Sequence, residues 1–320
     1  MLVAVAMGFN WTLAFLLPVL SLSFLAPGGK PLDIKGGLFF VGSCAIACLV
    51  GITLAYSFLS MPPIHILITF ILLFHIFYTR NPLFNPLVKV WFLIAILLIP
   101  NIAIQSFALA KVIAISLVMT AACTILLIWV IYLLAPESKA KSKVAQKTDS
   151  KPKSEPTVKE RFATALSSTV VIMPVYLIFY FATIPNALLI LVFIAILSMQ
   201  PAFAKDWKVG KALIIGNTLG GLTAVLGYEI LTMVPEYSYL IVLVLLGGLI
   251  FGKYVFSESP LASVYGMAFS TFLLIICSVT GSDGDSGAVS KVWSRVIQIM
   301  IAVIYFVSAF GLIKKLKPSR

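Results

Sequence analysis

Charge is what this 320-residue chain has least of. Only 11% of its residues are Asp, Glu, Lys or Arg, against about 25% in a typical soluble domain. A soluble fold needs polar side chains over most of its surface. A chain that is 61% apolar, with mean hydropathy +1.10, cannot supply them. A globular cytosolic enzyme, a secreted disulfide scaffold and a disordered protein are thereby excluded. Acids are scarcer than bases, 11 against 23, for a net charge of +12. In a soluble protein that excess would suggest nucleic acid, but no basic stripe interleaved with aromatics is present. Cysteine is sparse too. Cys44, Cys48, Cys123 and Cys277 all lie inside apolar runs and read as small buried hydrophobes, with neither a disulfide framework nor a zinc site indicated. The only two histidines, His65 and His75, are about 15 Å apart along a helix and cannot share one metal. Each reads as a hydrogen-bonded membrane histidine. P-loop, GxSxG and HExxH motifs are missing. No ATP hydrolysis, enzymatic chemistry, cofactor or metal is therefore expected.

What is present is a series of apolar runs near the length of about 20 residues that crosses a bilayer as a helix. They cover 11–25, 36–60, 64–78, 88–105, 110–134, 161–182, 186–204, 210–232, 237–251, 261–280 and 288–313. The fold class is an all-α polytopic membrane protein with about eleven transmembrane helices. The runs at 64–78 and 237–251 are short and are expected to be half-buried rather than simple spans. Residues 1–8 are apolar but too short to cross, and they lack the charged start of a signal peptide. Residues 135–160 are dominated by Lys, Ser and Pro and can build no core. They read as a disordered cytoplasmic linker.

The bases set the orientation. The segments 27–35, 79–90, 135–161, 204–211, 252–259 and 314–320 hold 20 of the 23 basic residues. Alternation of the spans puts all six on one side, which the positive-inside rule makes the cytoplasm. Only Lys111, Lys291 and Arg295 fall on the outer side.

The two halves repeat. YSFLSMPP at 56–63 matches YEILTMVP at 228–235, an offset of 172. PLVKVW at 86–91 matches PLASVY at 260–265, an offset of 174. Paired spans lie six apart, so the pseudo-repeats are parallel, an arrangement that transporters use. The expected organisation is a first repeat at 1–134, the linker at 135–160 and a second repeat at 161–320. The first repeat lacks most of its first helix. That gap suggests a natural start about 15 residues upstream, at the 1.5 Å rise of a helix.

Candidate substrate-path residues follow from polar groups inside apolar runs. Lys291, Arg295 and Gln298 stand at i, i+4 and i+7, on one helical face. Cations inside a membrane face a cavity or pair with an acid, so the stripe suits an anion. Snorkelling to headgroups is the plainer reading, most of all for Lys291. Lys111 begins a span on the same side. Glu229, near the outer end of 210–232, suits a counter-charge, a proton site or a plain interfacial carboxylate. Gly216 and Gly220 form a GxxxG packing face. Beside it Asn217 either staples two helices or lines the path. Gln200-Pro201 and Pro100-Asn101 interrupt their spans and free backbone carbonyls that a site can use.

The chain resembles the fusaric-acid-resistance family of bacterial inner-membrane proteins, which includes the aromatic acid exporters, in its short membrane-only branch. The residues that carry the resemblance are FLLPVL at 15–20 with APGG at 26–29, and LSMQP at 197–201. To these are added KALIIGN at 211–217 with Gly220 and Gly221, and the stretch 228–235. The resemblance implies an inner-membrane secondary efflux subunit for small organic anions, often aromatic carboxylates. It also implies a periplasmic membrane-fusion partner, and it defines no catalytic residues. A homo-oligomer is compatible with it. Competing readings are an organic-anion channel, since a plant malate-channel family looks distantly related, a membrane enzyme, and an assembly scaffold.

Overall fold

The computed structural model describes residues 2–9, 11, 13–25, 33–81, 84–134, 157–182, 190, 191, 194, 197, 207–257, 259, 261–280 and 288–316, with the side chains of 23, 207–210, 288–292 and 314–316 excepted. These residues form eleven helices and no strands: α1 Leu2–Phe9, α2 Leu16–Leu25, α3 Ile34–Phe58, α4 Pro62–Tyr78, α5 Pro86–Gln105, α6 Phe107–Leu134, α7 Val158–Ala182, α8 Trp207–Met233, α9 Tyr237–Val255, α10 Ala262–Thr280 and α11 Ala288–Leu316. Eight of them, α3 and α5 through α11, are long and apolar enough to cross a membrane. An all-α polytopic membrane protein is therefore what the chain forms.

Helix boundaries follow local chemistry. Prolines open α4 and α5, where a missing N–H costs nothing and the fixed φ suits a first turn. Ser106 adopts an extended backbone and ends α5, and its hydroxyl oxygen accepts the Leu109 N–H in the first turn of α6. Thr157 and Glu160 form a capping box on α7, with Glu160 Oε2 accepting the Thr157 N–H at 3.0 Å.

Two expectations about spans need correction. The run 11–25 is not one helix. Leu13 takes a left-handed φ of 67°, turns occupy 13–15, and α2 keeps only ten residues, about 15 Å. Trp11 anchors this break by donating from Nε1 to Thr120 Oγ1 at 2.9 Å. The run 237–251, expected to be short, extends to Val255 as the 19-residue α9 and is long enough to cross. Helix α4, with 17 residues, is short as expected. The linker up to 156, the loop 281–287 and most of the run 186–204, including Gln200, lie outside the described residues.

The chain divides into two compact units that interleave along the sequence. One contains Met1–Leu38, Met119–Lys151 and Lys211–Met300. Here α2 and α9 pack on α10, and α1 contacts α2, α9 and α10. Tyr237 Oη donates to the Ala4 carbonyl, and Ala6, Ala14 and Leu17 form a small apolar core. The other contains Phe39–Val118, Pro152–Gly210 and Ile301–Arg320. Its α4, α5 and α7 pack together around Leu73, Leu93, Leu97, Ile172 and Tyr176. Every residue of α5 from Leu93 to Ala103 is buried. Helices α4 and α7 run antiparallel, because Tyr78 meets Arg161, His65 meets Tyr176 and Leu59 meets Tyr180.

One close contact occurs once in each unit. In α3 a Cβ at Gly51 would stand 2.6 Å from the Ala95 carbonyl oxygen of α5. In α8 a Cβ at Gly220 would collide with the Ala268 carbonyl oxygen of α10. Ala95 and Ala268 differ by 173 positions, between the two sequence offsets. Gly51 aligns with Thr223, about one turn from Gly220.

Candidate functional site

The polar residues of the second half gather around α8. Its small face packs on α10: Cβ atoms at Gly216 and Gly220 would lie 3.0 Å from the Val264 carbonyl oxygen and 2.8 Å from the Thr271 Cβ. This is the close approach that a GxxxG face permits. On the adjacent face Gly221 meets Val296 of α11, with 3.2 Å from an added Cβ to Cγ1. Thr218 Oγ1 lies 3.4 Å from Met300 Sδ. Helix α8 thus carries α10 on one side and the first half of α11 on the other.

Asn217 sits within this packing and is 4% exposed. Its Nδ2 donates to the Leu213 carbonyl at 2.8 Å, and its Oδ1 accepts the Thr271 hydroxyl at 2.7 Å. Both ends of the amide are engaged, one of them across the helix–helix seam. Of the two sequence readings, the geometry is that of a staple.

Arg295 and Gln298 share a face of α11, as their spacing requires. Arg295 Nη1 donates to Gln298 Oε1 at 3.0 Å, and both side chains are half-buried. Arg295 is the third residue of the apolar stretch Trp293–Ile313. The carboxamide fixes one arm of a planar fork that can meet a carboxylate with two parallel hydrogen bonds. Lys291 lies on the same helix one turn earlier, and its side chain is outside the described residues.

The other candidates have no described contact with this group. Glu229 is exposed near the end of α8. Lys111 is exposed at the start of α6, in the other unit, with Nζ 4.9 Å from the Phe107 ring centre. Pro100 lies inside a continuous α5, and Asn101 there donates to the Leu97 carbonyl at 2.7 Å. The cysteines among the described residues are free thiols; Cys44, Cys48 and Cys277 are buried, and Cys123 is half-buried.

Sequence reasoning did not find two sets of partners. Thr271 is indistinguishable in sequence from any threonine in an apolar helix. His65 was legible as a bonded histidine, but its partner was not: Nε2 meets Tyr176 Oη at 2.6 Å, 111 residues away, and the ring stacks on Tyr180 at 5.2 Å. Only the distance of Tyr176 from both ends of its apolar run hinted at a need for a polar partner.

Residues 171–309 match the model of a family described as fusaric acid resistance protein-like. The matched stretch runs from within α7 into α11 and includes Asn217, Glu229, Thr271, Lys291, Arg295 and Gln298. No curated protein and no solved structure matches the chain.

Proposed function

We propose that this multi-pass membrane protein, fusaric acid resistance protein-like over 171–309, is an inner-membrane secondary efflux transporter subunit. Its substrates are small organic anions, aromatic carboxylates among them, and it works with a periplasmic membrane-fusion protein. The observation that carries the reading is the Arg295–Gln298 pair, a guanidinium held by a carboxamide within an apolar span. A half-desolvated arginine binds an organic carboxylate more strongly than one in water, and its fork favours a planar acid. The residue after Arg295, Val296, packs on Gly221 of α8, which is stapled to α10. Parallel repeats 1–134 and 161–320, joined by a cytoplasmic linker, fit alternating access. Without a nucleotide-binding motif, energy comes from an ion gradient or from the substrate's own.

The test is a deletion strain complemented with variants and challenged with a panel of aromatic and aliphatic acids. Arg295→Ala is expected to lower export about tenfold or more, the scale of a lost charged hydrogen bond of about 1.5–3 kcal/mol. Lys291→Ala is expected to lower it much less. Wild-type resistance in both variants would reduce the stripe to a headgroup anchor. Uphill transport in inverted vesicles supports a transporter, whereas flux only down the gradient would make the protein a channel.

A further inference from the structure

Three cations meet where α4 ends and α7 begins. Arg161, in the first turn of α7, donates from Nη2 to the Tyr78 carbonyl at 3.4 Å, and its guanidinium lies 5.1 Å from the Tyr78 ring centre. Lys89, in the first turn of α5, donates to the Thr79 carbonyl. Arg80, exposed, directly follows Thr79, and the charges of Arg80 and Arg161 both lie near enough to bear on Lys89. The described contacts of Lys89 and Arg161 are carbonyls and a ring, not carboxylates. The neighbouring acid, Glu160, is turned to the Thr157 N–H in the α7 cap. Arg161 Nε is buried without a hydrogen-bond partner.

Capping the carbonyls at the end of α4 accounts for one donor of Lys89 and one of Arg161. It does not account for a third cation, for an orphaned buried donor, or for three like charges drawn together. An apolar cleft opens at the same place. Val50, Leu72, Ile76, Phe84 and Phe92 line it, together with Thr79, whose carbonyl Lys89 holds. An aromatic collar flanks the cations: Phe74 stacks on Tyr78 at 5.8 Å and meets the exposed Phe162 edge-on at 5.1 Å. Aromatics and bases at the end of apolar helices mark a headgroup level.

We infer that this is a binding site for an anionic phospholipid of the surrounding membrane. The phosphate bridges Arg161, Lys89 and Arg80, and an acyl chain enters the apolar cleft. A soluble anion would use the cations but has no need of the cleft. A zwitterionic lipid would use the cleft but carries its own cation against the cluster. The site does not depend on the efflux reading, since it shares no residue with the Arg295 stripe.

Native mass spectrometry of the full-length chain in detergent tests it, with dioleoyl phosphatidylglycerol and dioleoyl phosphatidylcholine as probes. The wild type is expected to retain one phosphatidylglycerol about a hundredfold more tightly than phosphatidylcholine, the scale of about 1 kcal/mol for each of three bases near a headgroup. Arg161→Gln with Lys89→Gln is expected to abolish that preference. Should the double variant fail to fold, Arg80→Gln, at an exposed position, is expected to lower it about fivefold. Phe92→Trp, which fills the cleft, is expected to weaken both lipids. Equal retention of the two lipids, or an unchanged preference in Arg80→Gln and the double variant, overturns the proposal. Displacement of the lipid by glycerol phosphate alone also overturns it, by making this a soluble-anion site.

Discussion

Gly220 and Gly42 are both helical glycines, yet the space around them differs. A Cβ at Gly220 meets the α10 backbone at Ala268, whereas one at Gly42 meets nothing within 4 Å. Gly220→Ala must push α8 from α10 and is expected to cost about 1–3 kcal/mol, the usual scale of overpacking. Gly42→Ala is expected to be neutral or to stabilise by up to about 1 kcal/mol through helix propensity. Thermal unfolding of the two purified variants in detergent checks the contrast, and equal midpoints would show that the seam can open. The Asn217–Thr271 hydrogen bond permits a finer test. A double-mutant cycle with Asn217→Ala and Thr271→Val is expected to give a coupling of about 0.6 kcal/mol, the average for such bonds in a membrane protein. A coupling near zero would mean that the amide finds another partner. Residues of this kind were half legible. Gly216, Gly220 and Asn217 announce a packing face by spacing alone, because helical periodicity is local. Thr271 does not, because the contact that gives it meaning is 54 residues away.

The seam between α4 and α7 shows the same limit at the scale of elements. Each helix was readable as an apolar run, and α4 was readable as short. Their antiparallel pairing was not, because it rests on three distant contacts: Arg161 to Tyr78, His65 to Tyr176, and Tyr180 Oη to the Leu59 carbonyl at 3.3 Å. His65 and Tyr176 are both fully buried. Tyr176→Phe leaves a buried imidazole nitrogen without its partner and is expected to destabilise by about 1–3 kcal/mol. Adding His65→Phe removes both polar groups and should recover part of that loss. Helical circular dichroism during heating provides the measurement. If the double variant is weaker than Tyr176→Phe by a full His→Phe penalty, the pair is not a unit. Pro174 lies inside α7 on its exposed side. It cannot donate to Val170, and at the next position Tyr305 Oη donates to the Val171 carbonyl at 2.8 Å. The boundary errors have local causes. Hydropathy carried the run 11–25 across a turn because Leu13 is apolar, and its left-handed backbone leaves no compositional trace. Gly252 and the charged Lys253 end the apparent run at 251, although helix α9 continues to Val255.

At the scale of the whole molecule, the charge partition and the helix geometry make one joint claim. The antiparallel α4–α7 pair brings the connection after Tyr78 to the same end as Arg161. The proposed orientation needs both segments on one side, and the pairing puts them at one end. Helix α9 extends the claim, because its 19 residues are long enough to cross and its two ends must then face opposite sides. Its start follows the acidic Glu236, and its end carries Lys253, so the proposed orientation puts Ser238 outside and Ser257 inside. Single cysteines at these positions, Ser238→Cys and Ser257→Cys, report the sides directly when whole cells are treated with a membrane-impermeant maleimide. The native background is low, since Cys44, Cys48 and Cys277 are buried. Cys123→Ala removes the half-buried thiol. Ser238→Cys is expected to label in intact cells, and Ser257→Cys only after the cells are opened. The reverse pattern would invert the protein and place the three-cation cluster of α4 and α7 in the outer leaflet. Labelling of both positions from outside would mean that α9 does not cross, and the parallel alternation of the two halves would fail with it.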